Sequence, residues 1–117
     1  MKKMVSGGQP FWVGVNSSYL AWTDFSAGTV NTVPLDGGQG ATIASGQNNP
    51  NVVAVDETNA YWTDGTLGTV MAAHLDGSGS PITLASGQSN PHGVAVDGTN
   101  VYWVNNGDGT VMRLAKP

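Results

Sequence analysis

Prolines at 10, 50 and 91 and tryptophans at 22, 62 and 103 recur at spacings of 40 and then 41 residues. A fixed period of this length means one supersecondary unit copied along the chain, and it restricts the fold to arrays of stacked units. "GQNNPNVVAVDETNAYWTDGTLGTVMAAHLDG" is followed by "GQSNPHGVAVDGTNVYWVNNGDGTVMRL", and the more diverged "GGQPFWVGVNSSYLAWTDFSAGTVNTVPLDG" precedes both. Thr29-Val30, Thr69-Val70 and Thr110-Val111 keep the same register. The three units, at 10–49, 50–90 and 91–117, fill nearly all of the 117 residues, so a single domain is expected.

Each unit reads as a set of short strands. In the second unit Val52–Val55, Ala60–Thr63, Thr69–Leu75 and Pro81–Ala85 are rich in β-branched and aromatic residues. Asp56-Glu57-Thr58-Asn59, Asp64-Gly65-Thr66-Leu67-Gly68 and the hairpin signal Asp76-Gly77 separate them. Seventeen glycines and a charged fraction of only 10% fit many tight turns; ordinary soluble chains are roughly 25% charged. No stretch carries a 3.6-residue apolar period, so no helix is expected. The first strands, "VGV", "VVAV" and "GVAV", are continuously apolar, the pattern of a strand covered on both faces. Four-stranded units of this length, sandwiched face to face around an axis, are β-propeller blades.

Tyr61-Trp62-Thr63-Asp64 resembles the signature of the YWTD propellers, such as those of the low-density lipoprotein receptor family, and the likeness extends to "VVAVD" before it and "HLDG" after it. "PHGVAVDGTNVYW" is equally similar to NHL-type repeats. The first unit has Ala21 in the tyrosine position, and the third has Val104 and Asn105 in place of Thr-Asp. These families imply a six-bladed ring, and neither signature implies an enzyme. A β-trefoil would also use three repeats in one closed monomer, but the motifs and the doubly covered first strands favour the propeller. Recurrence in every unit makes Tyr61, Trp62 and Asp64 scaffold residues that wedge between blades and shape a loop.

Composition narrows the function. A formal charge of −4, with Lys2, Lys3, Arg113 and Lys116 the only strong bases, argues against nucleic acid. No apolar run approaches the roughly 20 residues of a membrane span. Cysteine is absent, which removes disulfides and thiolate metal sites. Met1-Lys2-Lys3-Met4 has no apolar stretch after it, so no signal peptide is read and no compartment is assigned. His74 and His92 are too isolated to compose a nucleophilic triad. Gluconolactonase-like six-bladed enzymes hold calcium in the axial funnel, but here Asn48, Asn49, Asn51 and Asn90 have no carboxylate beside them. No cofactor is expected, and calcium is the candidate if one is held.

In an up-and-down blade, the loops leading into first strands share a face with the loops between second and third strands. That face gathers Gln47, Asn49, Asn51, Gln88, Asn90 and His92, which suits a sugar, a peptide or another polar ligand. The expected function is a non-catalytic binding or interaction scaffold. A small metal-dependent hydrolase, lactonase or lyase is the alternative, followed by a propeller fragment, natural or engineered, whose only property is assembly.

Three blades cannot close, since propellers have about four to eight. "KKMVSGGQP" matches "ATIASGQNNP" and "ITLASGQSNP", so residues 1–9 read as an orphan outer strand, while the third unit stops after its third strand. Lys3, Met4, Val5 and Ser6 of one copy are therefore expected to pair with Val111, Met112, Arg113 and Leu114 of another. The expected assembly is a strand-exchanged homodimer with six blades.

Overall fold

The computed structural model describes residues 1–117 as eleven strands in three antiparallel sheets, with no helix. Blade 1 contains β1 (Pro10–Val15), β2 (Tyr19–Asp24), β3 (Thr29–Pro34) and β4 (Ala41–Ala44). Blade 2 contains β5 (Pro50–Val55), β6 (Asn59–Asp64), β7 (Thr69–His74) and β8 (Ile82–Ala85). Blade 3 has β9 (Pro91–Val96), β10 (Asn100–Asn105) and β11 (Thr110–Ala115), and the outer edge of β11 carries no strand. Residues 1–9 form no strand. In every blade the strands follow chain order across the sheet.

Local chemistry explains the connections. Asp56 Oδ1 accepts the amides of Thr58 and Asn59 at 3.0 and 2.7 Å, and Asp97 Oδ1 accepts those of Thr99 and Asn100 at 2.9 and 2.7 Å. Asn16 Oδ1 does the same for Ser18 and Tyr19 at 2.8 and 2.7 Å. A short side-chain acceptor thus fixes each turn between first and second strands.

The core lies between blades rather than within one. Ala21, Val30, Ile43 and Ala44 of blade 1 pack on Val53, Ala60, Trp62, Ala73 and Leu75 of blade 2. Val52, Tyr61, Val70 and Ala72 of blade 2 pack on Val94, Val101 and Trp103 of blade 3. Pleating sends alternate residues of one strand to opposite neighbours, so β6 gives Tyr61 to one seam and Trp62 to the other. This is why first strands need apolar residues at every position.

The outer blades do not match that pattern. β1 is exposed along most of its length, although it was expected to be covered on both faces. Val13 is 57% exposed, whereas its equivalent Val53 is 2% exposed. The reason is positional, since blade 1 has no blade on its outer side. No helix of the structure is long and apolar enough to cross a membrane.

Candidate functional site

The second loop of each blade shows what the Thr-Asp pair does. Asp64 is fully buried, and its carboxylate accepts four backbone amides: Asn48 and Asn49 at 2.8 and 3.1 Å, and Thr66 and Leu67 at 3.0 and 2.9 Å. One side chain therefore ties the loop leading into β5 to the loop leaving β6. Asp24 repeats this for Gln9 and Ala27 at 3.3 and 2.9 Å. The Ala27 amide leads the effects holding the Asp24 carboxyl below its ordinary value. The threonine hydroxyls cross to the next blade, where Thr23 donates to the Asn51 carbonyl at 2.7 Å and Thr63 to the His92 carbonyl.

The tryptophans complete the seam. Trp62 Nε1 donates to Gln47 Oε1 at 3.1 Å, and Trp103 Nε1 to Gln88 Oε1 at 3.0 Å. Gln88 Oε1 also accepts the Asn105 amide at 3.0 Å. Both glutamines, placed by sequence in the ligand face, thus spend their acceptor on scaffold.

The asparagines lie differently. Around Gly65, a methyl group on Cα would come within 2.9 Å of Asn90 Oδ1, 3.0 Å of Asn51 Nδ2 and 3.3 Å of Asn49 Nδ2. Three amides from two blades thus converge over one glycine. Asn51 is buried and its Nδ2 lies 3.5 Å from the Pro91 carbonyl, while Asn49 Oδ1 is buried with no hydrogen-bond partner. Asn90 is exposed and takes a left-handed backbone with φ of 51°, the one non-glycine residue to do so. Asparagine is among the few residues that adopt this conformation readily in a turn. His92 is half-buried at the start of β9. On blade 1 the same face is aromatic, with Phe11 6.1 Å from Phe25 and 6.4 Å from Trp12, ring centre to ring centre.

The opposite face carries a group that sequence reasoning missed. Lys116 Nζ lies 3.0 Å from Asp56 Oδ2 and 5.8 Å from the centre of the Tyr61 ring, and Tyr61 donates to Asp56 Oδ2 at 2.8 Å. Burial opposes ionisation of Asp56, but the Asn59 amide, Lys116, the Thr58 amide and the Tyr61 hydroxyl outweigh it and hold the pKa at about 2. Burial, aided by the neighbouring carboxylate, pushes the Tyr61 hydroxyl up to about 12. Lys116 occupies the position of Leu75 in blade 2, and that alignment was the available signal. His74 is exposed, and its ring makes one hydrogen bond, to Asn59 Oδ1 at 2.7 Å. No group of three or more His, Asp or Glu side chains is placed to hold a metal ion.

The residues expected at the closure lie on the two bare flanks. Val111, Met112, Arg113 and Leu114 are exposed along β11. Met4 and Val5 share one groove with Trp12, Val13 and Trp22 and another with Asn31, Val33 and Thr42, so the segment lies across the outer flank of blade 1. Lys3 and Ser6 are exposed beside them.

Strand order, interblade cores and the Tyr-Trp-Thr-Asp geometry together define three β-propeller blades of the YWTD/NHL type. Comparison with solved structures agrees. A chain of a nidogen/laminin complex superimposes with a TM-score of 0.79 at 26% identity, over 91% of this chain and 44% of that one. A streptogramin B lyase gives 0.69 at 14% identity over 94% and 41%. The virginiamycin B lyase of Staphylococcus aureus gives 0.61 at 14% over 93% and 42%. The chain therefore spans less than half of each. No family model and no curated protein matches it.

Proposed function

We propose that the chain is a non-catalytic binding and interaction scaffold: two copies form one six-bladed ring whose amide-lined axial face takes a polar ligand, a sugar or a peptide. The observation that carries the ligand reading is the convergence of Asn49, Asn51 and Asn90 over Gly65, with the buried Asn49 oxygen unpaired. Uncharged amides offer donors and acceptors together, which matches hydroxyl and peptide groups and gives no advantage to ions. Phe25, exposed in the equivalent loop of blade 1, provides an apolar face of the kind that packs on a sugar ring or side chain. The likeness to a chain from a nidogen/laminin complex supports an interaction role, whereas the lyases share the fold at 14% identity.

Glycan and peptide arrays probed with the purified chain test this. A selected ligand should lose binding to the Asn49→Ala, Asn90→Gly double variant, which keeps a residue suited to φ of 51° at position 90. The unfolding midpoint should change little. Binding that survives in the double variant but depends on Asp36-Gly37 or Asp76-Gly77 would move the site to the other face.

A further inference from the structure

Residue-by-residue equivalence between blades shows what the free flanks are built to meet. In blade 1, the amide of Gln47, in the segment leaving β4, donates to the Gly28 carbonyl at 3.0 Å; in blade 2, that of Gln88, leaving β8, donates to the Gly68 carbonyl at 2.9 Å. The corresponding pair is Gly8 and Gly109, and neither the Gly8 amide nor the Gly109 carbonyl has a backbone partner. A methyl group on Gly28 or Gly68 would strike that neighbouring backbone at 2.1 or 2.7 Å, whereas one on Gly109 meets nothing within 4 Å. Gly109 nevertheless keeps φ of 73°, close to the 66° and 69° of its equivalents. Its loop keeps the shape that, in the other blades, accepts the segment leaving the outer strand.

The side chains agree. Val111 is 77% exposed, while Val30 and Val70 in the same position of the other blades are fully buried. Leu35 is 41% exposed and its equivalent Leu75 is 1% exposed. At the inner seams, position 75 or 116 meets the preceding blade at position 21 or 61. By the same rule Leu35 would cover the ring of Tyr102. Where Thr23 and Thr63 donate across a seam, the third blade has Val104, and the residue it would face is Phe11 rather than Asn51 or His92. A polar stitch is replaced by an apolar pair on both sides at once. Thr32 donates to the Leu75 carbonyl at 2.9 Å, and its equivalent Arg113 would donate to the Leu35 carbonyl.

Met4 and Val5 line grooves on the flank that an outer strand would cover. The grooves include Trp22 and Val33, whose equivalents Trp62 and Ala73 share the interblade core with Ile43 and Ala44. Each free flank, four strands at about 4.8 Å spacing and about 17 Å long, projects on the order of 300 Å². Two seams cover four such faces, on the order of 1,200 Å², the size of a stable interface.

We infer that the Tyr102–Val104–Arg113 flank of one copy takes the Phe11–Leu35 flank of a second, with Met1–Ser6 of the second copy added to β11 in one fixed register. That register follows β4 on β3, where Val30 pairs with Ala44 and Thr32 with Ala41. It sets Val111 opposite Val5 and Arg113 opposite Lys2 of the other copy. The inference rests on the reading that two copies close one ring.

The chain has no cysteine, so engineered pairs report the register directly. Oxidation of the Val111→Cys, Val5→Cys variant, and separately of Arg113→Cys, Lys2→Cys, should convert most of the protein to covalent dimer. All four positions are exposed in the single chain, so the substitutions leave its inner seams untouched. A two-residue slip, Val111→Cys with Lys3→Cys, should crosslink poorly. Unmodified protein is weighed in parallel by light scattering. A folded monomer overturns the ring and this inference together. A dimer that crosslinks only in the slipped pair, or in none, overturns the seam and leaves the ring reading standing.

Discussion

At the residue scale, the buried carboxylates hold the loops. Asp64, itself buried, gathers four part-buried amides, so Asp64→Ala takes the acceptor from all four. Buried donors stripped of a charged acceptor cost about 1–3 kcal/mol each before relaxation, and a loss of about 3 kcal/mol or more is expected in urea unfolding. Asn105 in the equivalent place makes side-chain bonds to Gln88 and Thr110 only, leaving its Oδ1 unpaired. Asn105→Ala should therefore cost distinctly less. Asp56 gives a pH signature. A carboxyl whose folded pKa is depressed from 3.8 to about 2 stabilises the fold above pH 4 and loses that contribution as pH falls towards 2. The pair is partly exposed, so the effect is about 1 kcal/mol after solvent screening. Urea midpoints from pH 7 to pH 2.5 should show a shallower acid slope in Asp56→Asn; an unchanged slope would dismiss the Lys116 contact as a stabilising one.

At the scale of elements, the strands were legible because β-branched runs alternate with Asp, Asn and Gly. The turn between β5 and β6 could be read from Asp56 to Asn59 alone, since a short acceptor side chain closes it. The threonine was not legible. Its partner is a backbone carbonyl on the next blade, 28 residues from Thr23, and a carbonyl leaves no mark in the sequence. Nor was the use of Gln47 and Gln88 on tryptophan nitrogens, because a surface amide reads the same whether it awaits a ligand or holds an indole. Thr23→Val should cost about 1–2 kcal/mol by removing a buried hydrogen bond. Gly68→Ala is expected to cost more, since a left-handed backbone and a carbonyl 2.7 Å away both oppose the new methyl.

At the scale of the molecule, the outer flanks of the three blades carry exposed apolar residues, the kind of patch that marks an interaction surface. The repeat period revealed the blades and the match of residues 1–9 to β4 and β8 suggested an exchange. The complementarity inferred for the flanks needed each blade to be laid on the next, because it rests on the departures at Val104 and Phe11 together with the exposure of Leu35 and Val111. Heterologous faces of this kind form a ring when the rotation closes, and three blades of a six-bladed ring turn through half a circle. The direct measurement is the mass of the intact chain in solution, by sedimentation equilibrium across a hundredfold range of concentration. A mass of about 24 kDa, twice the 12.0 kDa of one chain, is expected throughout. A folded species of 12.0 kDa, or assemblies that keep growing with concentration, would contradict the two-copy ring.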